Sequence, residues 1–132
     1  MASERVGHQT VTWDEELVPS ERGRTVAPSP RCPVEVALAA VSGRWATLVL
    51  RDLMGGPRSF SALRTGLPQL SAKVLTERLD GLVAQGLVRR DRSPGFPART
   101  EYALTDAGRA LRPLLVELYR TGEALLRRRD LA

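Results

Sequence analysis

The chain has 132 residues, 42% of them apolar, with 20 basic and 15 acidic side chains and a formal net charge of +5. That composition suits one domain with extensions around a buried core and excludes a wholly disordered chain. No apolar run approaches the roughly 18 residues of a membrane span, and the first ten residues lack the basic-then-apolar order of a secretory signal. A lone Cys32 and a lone His8 exclude an intramolecular disulfide and a set of metal ligands. The expectation is a cytoplasmic protein with no membrane partner and no cofactor.

The charge is unevenly spread. Residues 1–30 hold three arginines and five acidic residues, whereas residues 31–132 hold 17 basic and 10 acidic ones. All the basic residues except Lys73 are arginine, the better fork for phosphate and guanine. A basic domain most often meets a nucleic-acid polyanion; ordinary solvated surface charge is the alternative.

Residues 1–30 show no sustained periodicity, and Pro28-Ser29-Pro30 closes them like a linker. This predicts a flexible extension over 1–31, with Trp13, Leu17 and Val18 able to form at most a short turn. The folded domain is placed at 32–132. Pro33 suits the first position of a helix and makes Cys32 its N-cap. Val34, Ala37, Leu38 and Val41 then share one face, and Gly43 ends the helix. A second apolar helix runs from Trp45 through Leu48, Val49 and Leu53 to Met54, stopped by Gly55-Gly56-Pro57.

A helix-turn-helix pattern follows. Ser59 caps a short helix through Arg64, with Phe60 and Leu63 inward. Gly66 to Leu70 forms the turn, and Ser71 caps a longer helix. There Leu75, Leu79, Leu82 and Val83 make a buried stripe. Lys73, Thr76, Glu77, Asp80 and Ala84 fall on the opposite face. Gly86 ends that helix. Gly86 to Arg90 and Arg99 to Thr105 then read as two short strands joined by a loop over 91–98, a basic hairpin behind a recognition helix. Thr105 caps a final helix over 106–129. Its Leu111, Leu114, Leu115, Leu118, Tyr119, Leu125 and Leu126 are spaced for a dimer interface, or for packing back on the first helix. Pro113 bends this helix or marks its true start. The predicted fold is mainly α with a small β-hairpin wing (α+β). It is a winged helix-turn-helix with flanking N- and C-terminal dimerisation helices.

The partner expected for such a fold is double-stranded DNA. Amides at the Ser71 cap can meet a phosphate. Lys73 and Thr76 can reach base edges, Lys73 favouring guanine and the Thr76 methyl a thymine, although a plain phosphate contact is as good a reading for Lys73. Glu77 either accepts from a cytosine amine or repels phosphate where the helix leaves the groove. Arg92 and Arg99 flank the wing tip and suit a minor groove or its phosphates. Arg89 and Arg90 alternate, so one faces out while the other lies over the sheet. Arg78, Arg58 and Arg64 complete the DNA-binding candidates, against ordinary solvated surface. Trp45, Phe60 and Tyr102 read as core rather than as base stackers. As an N-cap, Cys32 sits where the helix dipole favours a thiolate; the alternative is an inert packing residue. A winged-helix module for protein–protein contact is the second function class. An enzyme is disfavoured, since no phosphate loop, nucleophile–base pair or carboxylate dyad is spaced for catalysis.

The ordered set of pieces resembles the HxlR-type winged helix-turn-helix regulators of bacteria. They are Cys32-Pro33-Val34, Gly43-Arg44-Trp45, Leu50-Arg51-Asp52-Leu53, Gly56-Pro57-Arg58-Ser59-Phe60-Ser61-Ala62-Leu63-Arg64, Leu75-Thr76-Glu77-Arg78-Leu79, Gly86-Leu87-Val88-Arg89-Arg90, Pro97 to Thr105 and Gly108. The likeness covers residues 32–112 and the last helix in outline. Two features depart from it: the 31-residue extension, and Leu118-Tyr119-Arg120-Thr121-Gly122 where the family commonly has a Trp-Gly ending. The resemblance implies a homodimer on DNA that represses or activates a neighbouring gene, here read as a repressor on a palindromic operator. Some members sense oxidants or electrophiles through the cysteine that matches Cys32; a small molecule held between the first and last helices is the other possible effector.

Overall fold

The computed structural model describes residues 2–6 and 9–131, which divide into two compact units, Met1–Val41 and Ser42–Ala132.

The first unit differs from the flexible extension expected over 1–31. Strands β1 (Ala2–Val6) and β2 (Gln9–Trp13) pair antiparallel, with Ala2 opposite Trp13. Such a ladder between near neighbours satisfies backbone groups at little loop-closure cost. A turn follows in which Asp14 Oδ1 accepts the Glu16 amide at 2.9 Å and the Val18 amide donates to the Asp14 carbonyl at 2.7 Å. After a 3-10 turn at Glu21–Gly23 comes α1 (Pro33–Val41). The Cys32 carbonyl accepts the Val36 amide at 3.0 Å, so Cys32 heads the helix as the Pro33 signal predicts. Of the apolar face expected of α1, Val34 and Leu38 are exposed and Ala37 and Val41 half-buried; the buried residue of the helix is Ala40, outside that face.

In the second unit, α2 (Ala46–Met54) buries Ala46, Val49, Leu50 and Leu53. Strand β3 (Arg58–Ser59) leads directly into α3 (Phe60–Gly66), and α4 (Ala72–Ala84) follows a short turn. Both helices begin at the predicted caps. Ser59 accepts the Ala62 amide at 3.1 Å and Ser71 accepts the Val74 amide at 3.2 Å. Each cap satisfies an amide that a helix start leaves open, an effect of about 1 kcal/mol. Three of the four stripe residues of α4 are buried as read, Leu75, Leu79 and Leu82 being at most 3% exposed, while Val83 is half-buried. Phe60 and Trp45 are only half-buried, so of the three aromatics assigned to the core Tyr102 alone lies fully inside.

The wing is longer than the sequence suggests. β4 (Val88–Ser93) and β5 (Arg99–Leu104) pair with Ser93 opposite Arg99, leaving a loop over 94–98 instead of 91–98. Backbone pairing continues past the apolar residues that mark the strand in sequence. β3 adds a third strand on the other edge of β5, Arg58 opposite Tyr102, which two residues without periodicity could not signal. The C-terminal helix is also divided. Thr105 caps a single turn, α5 (Asp106–Arg109), and the chain restarts as α6 (Arg112–Leu131). Pro113 is the second residue of α6, a position where its missing N–H is harmless; it marks the helix start rather than a bend. Among the described residues no single helix is long and apolar enough to cross a membrane.

Candidate nucleic-acid interface

The wing returns toward α4 because Gly86 turns the chain sharply. Its φ of +75° lies in the left-handed region, and its amide donates to the Val83 carbonyl at 3.0 Å. Between hairpin and helices lies a cleft of about 670 Å³, lined by Ser59, Phe60 and Ser61 at the start of α3, Thr76 of α4, and Pro97 to Thr100 with Tyr102 of the wing. Of the predicted DNA contacts, this cleft unites Thr76 and Arg99. Arg64 lines a neighbouring depression with Phe60, Ser61 and Thr65. Ser71, Lys73 and Arg92 lie outside both.

Lys73, Arg64, Arg92 and Arg99 are all exposed, and among the described residues none of their side chains makes an intrachain hydrogen bond or ion pair. Cations held at a surface without partners are available to phosphates. Three other candidates are engaged within the chain. Arg58 Nε donates to the Asp52 carbonyl at 2.9 Å, fastening β3 to the end of α2. Arg78 Nε donates to the Arg44 carbonyl at 2.6 Å, and its guanidinium packs beside Gly43. Gly43 and Trp45 both have positive φ, +96° and +77°. Arg78 therefore braces a strained turn ahead of α2 rather than projecting freely from α4. Thr76 Oγ1 donates back to the Ala72 carbonyl at 2.8 Å.

The predicted split between the two wing arginines holds. Arg89 is exposed and pairs with Asp91 at 2.9 Å. Arg90 lies over the sheet: it stacks on Tyr102, donates to its hydroxyl at 3.3 Å, and pairs with Asp80 of α4. Sequence reading left this Asp80–Arg90–Tyr102 group unassigned. The hairpin register could have matched Arg90 to Tyr102, but nothing local marks Asp80. It also passed over Phe96, fully exposed at the wing tip.

The proposed dimer residues lie on α6 and just before it. Leu111, Leu114 and Leu115 are half-buried, while Leu118, Tyr119 and Leu125 are 45%, 72% and 52% exposed. No described residue of α6 is fully buried within one chain. A second, largely apolar groove of about 590 Å³ runs between α2 and α6, from Leu48 and Met54 to Leu115, Leu118 and Tyr119. Cys32 is 7% exposed.

The chain is similar to several bacterial proteins. The HTH-type transcriptional regulator YvaP of Bacillus subtilis is 45% identical over 91 residues, covering 68% of this chain and 84% of YvaP. The solved structure of the redox regulator HypR in its reduced form superposes with a TM-score of 0.66 at 32% identity, over 70% of this chain and 91% of that one. Reduced YodB, a transcriptional regulator from B. subtilis, gives 0.61 at 33% identity, over 67% and 88%. YodB has also been solved after diamide treatment and with quinone bound. Residues 40–130 match the profile of HxlR-like helix-turn-helix proteins. With that match over most of its length and YvaP 45% identical, this chain belongs to the HxlR-like helix-turn-helix family of transcriptional regulators.

Proposed function

We propose that the chain is a cytoplasmic homodimer that represses transcription by binding an operator with two-fold symmetry. The observation that carries this reading is the cleft in which Arg99 of the wing and Thr76 of α4 face one space, with unpartnered Lys73 and Arg92 beside it. α4 enters the major groove, its first-turn amides and Lys73 meeting DNA, while Arg92 and Arg99 reach the adjacent backbone or minor groove. Two such units about 34 Å apart match successive major grooves. The exposed stripe Leu118, Tyr119 and Leu125 supports dimerisation, since a contiguous apolar face of this kind is rarely left to water.

Oxidation or alkylation of Cys32 is the proposed switch. Support comes from its place at the head of α1 and from the relatives named as a redox regulator or solved with diamide and quinone. Because Cys32 is nearly buried, modification requires the head of α1 to open, and that opening alters the dimer. A small apolar effector in the α2–α6 groove is a second reading, favoured by the groove's size and lining.

Lys73→Ala combined with Arg99→Ala tests DNA binding against a purely protein-binding role. The expected result is loss of DNA retention with an unchanged melting temperature. Retention equal to wild type would contradict the proposal.

A further inference from the structure

Asp80 presents a difficulty for a DNA-binding face. On α4 it shares the outer surface with Lys73, Thr76 and Glu77, and its side chain is 56% exposed. An acidic group there repels phosphate and should weaken binding. The structure gives it a different task. Arg90 and Tyr102 are directly opposed across the wing. Arg90 Nε donates to the Tyr102 hydroxyl at 3.3 Å, its guanidinium lies 5.4 Å from the ring centroid, and Nη2 donates to Asp80 Oδ1. Tyr102, 6% exposed, fixes one end of this chain of contacts in the core. Its hydroxyl and then Asp80 hold the guanidinium above its ordinary pKa. Elsewhere α4 and β4 are joined by the backbone of the Gln85-Gly86-Leu87 turn. Among the described residues, Asp80–Arg90 is the side-chain hydrogen bond that ties the recognition helix to the hairpin.

We propose that Asp80 and Arg90 are positioning residues: a clasp, floored by Tyr102, that sets the wing relative to the recognition helix. Sequence-specific binding then depends on an acidic residue of the DNA-facing surface. This rests on the DNA-binding reading above. A wing at the wrong angle still neutralises phosphates, because non-specific binding depends on charge and not on register. It loses the simultaneous fit of base-reading helix and wing. Releasing the clasp therefore lowers specific affinity and spares non-specific affinity.

Asp80→Asn provides a test of sign. If Asp80 is only a repulsive charge, its removal tightens binding to every duplex. The clasp predicts weaker specific binding instead. The probes are a labelled duplex of the intergenic DNA beside this chain's own gene and a scrambled duplex of equal length. Anisotropy titrations of the full chain at one salt concentration give the affinity ratio. For Asp80→Asn the ratio falls about tenfold, toward the low end of what one mismatched base pair costs, with scrambled-duplex binding no weaker and the melting curve unchanged. Asp80→Glu, which keeps a carboxylate, restores most of the ratio. Wild type preferring the intergenic duplex while Asp80→Asn tightens on both overturns the clasp alone. Equal wild-type binding to the two duplexes overturns the DNA reading, and the clasp's role with it.

Discussion

Replacing Gly108 by alanine tests how the wing root is held. Gly108 lies in α5, where alanine ordinarily stabilises a helix by up to about 1 kcal/mol. Here the added Cβ would lie 2.1 Å from the Leu87 carbonyl oxygen and 3.0 Å from Leu104 Cδ2, where ordinary contact begins at 3.4 Å. The obstacle is backbone at the start of the wing, so α5 and the Leu87 peptide must separate by more than an ångström. That separation breaks a local latch. Thr105 Oγ1 donates to the Gly86 carbonyl at 2.6 Å and accepts the Gly108 amide at 3.1 Å, while the Thr105 amide donates to the Leu87 carbonyl at 3.1 Å. Overpacking of this kind costs about 1–3 kcal/mol and the partial weakening of the latch about 1 more in all, giving roughly 3 kcal/mol. For a domain of this size that lowers Tm by about 12–24 °C. Thermal unfolding followed by far-UV circular dichroism measures it. A Tm within a few degrees of wild type, or above it, would refute the close-approach argument.

Three further outcomes follow from the site. Arg92→Ala and Arg99→Ala should each weaken binding across all sequences and reduce the slope of log K against log salt by about 1 per protomer; an unchanged slope in both removes them from the phosphate contacts. Leu118→Asp should shift the chain toward monomer in sedimentation velocity and weaken DNA binding without unfolding it, since Leu118 is 45% exposed in the single chain; an unaltered dimer excludes this stripe from the interface. Cys32→Ser should bind DNA as reduced wild type does and lose the response to diamide; identical curves for both proteins with and without diamide would dispose of the thiol switch.

The helix-turn-helix was legible because its signals are local. Ser59, Ser71 and Thr105 cap helices at the positions their hydroxyls imply, and the Leu75–Leu79–Leu82 spacing names the buried face of α4. What escaped the sequence is non-local or purely backbone. β3 exists because β5 offers a free edge, and β4 runs on to Ser93 because pairing continues where apolar alternation stops. The N-terminal hairpin also escaped, although Val11 and Trp13 alternate with threonines in β2 as a strand would have them. In the candidate site, exposure of Lys73, Arg92 and Arg99 followed from their places on helix and hairpin. The engagement of Arg78 with Arg44, 34 residues away, did not. Nor did the pairing of Asp80 with Arg90, since each charge reads in sequence as an ordinary surface residue.

The central claim is that α4 and the wing together grip a symmetric DNA site. DNase I footprinting of the intergenic DNA flanking the chain's own gene, at moderate salt, tests it most directly. The account predicts one protected palindrome whose half-sites lie about one helical turn apart, lost for the Lys73→Ala/Arg99→Ala protein. Uniform, sequence-independent protection, or no protected palindrome, would contradict it.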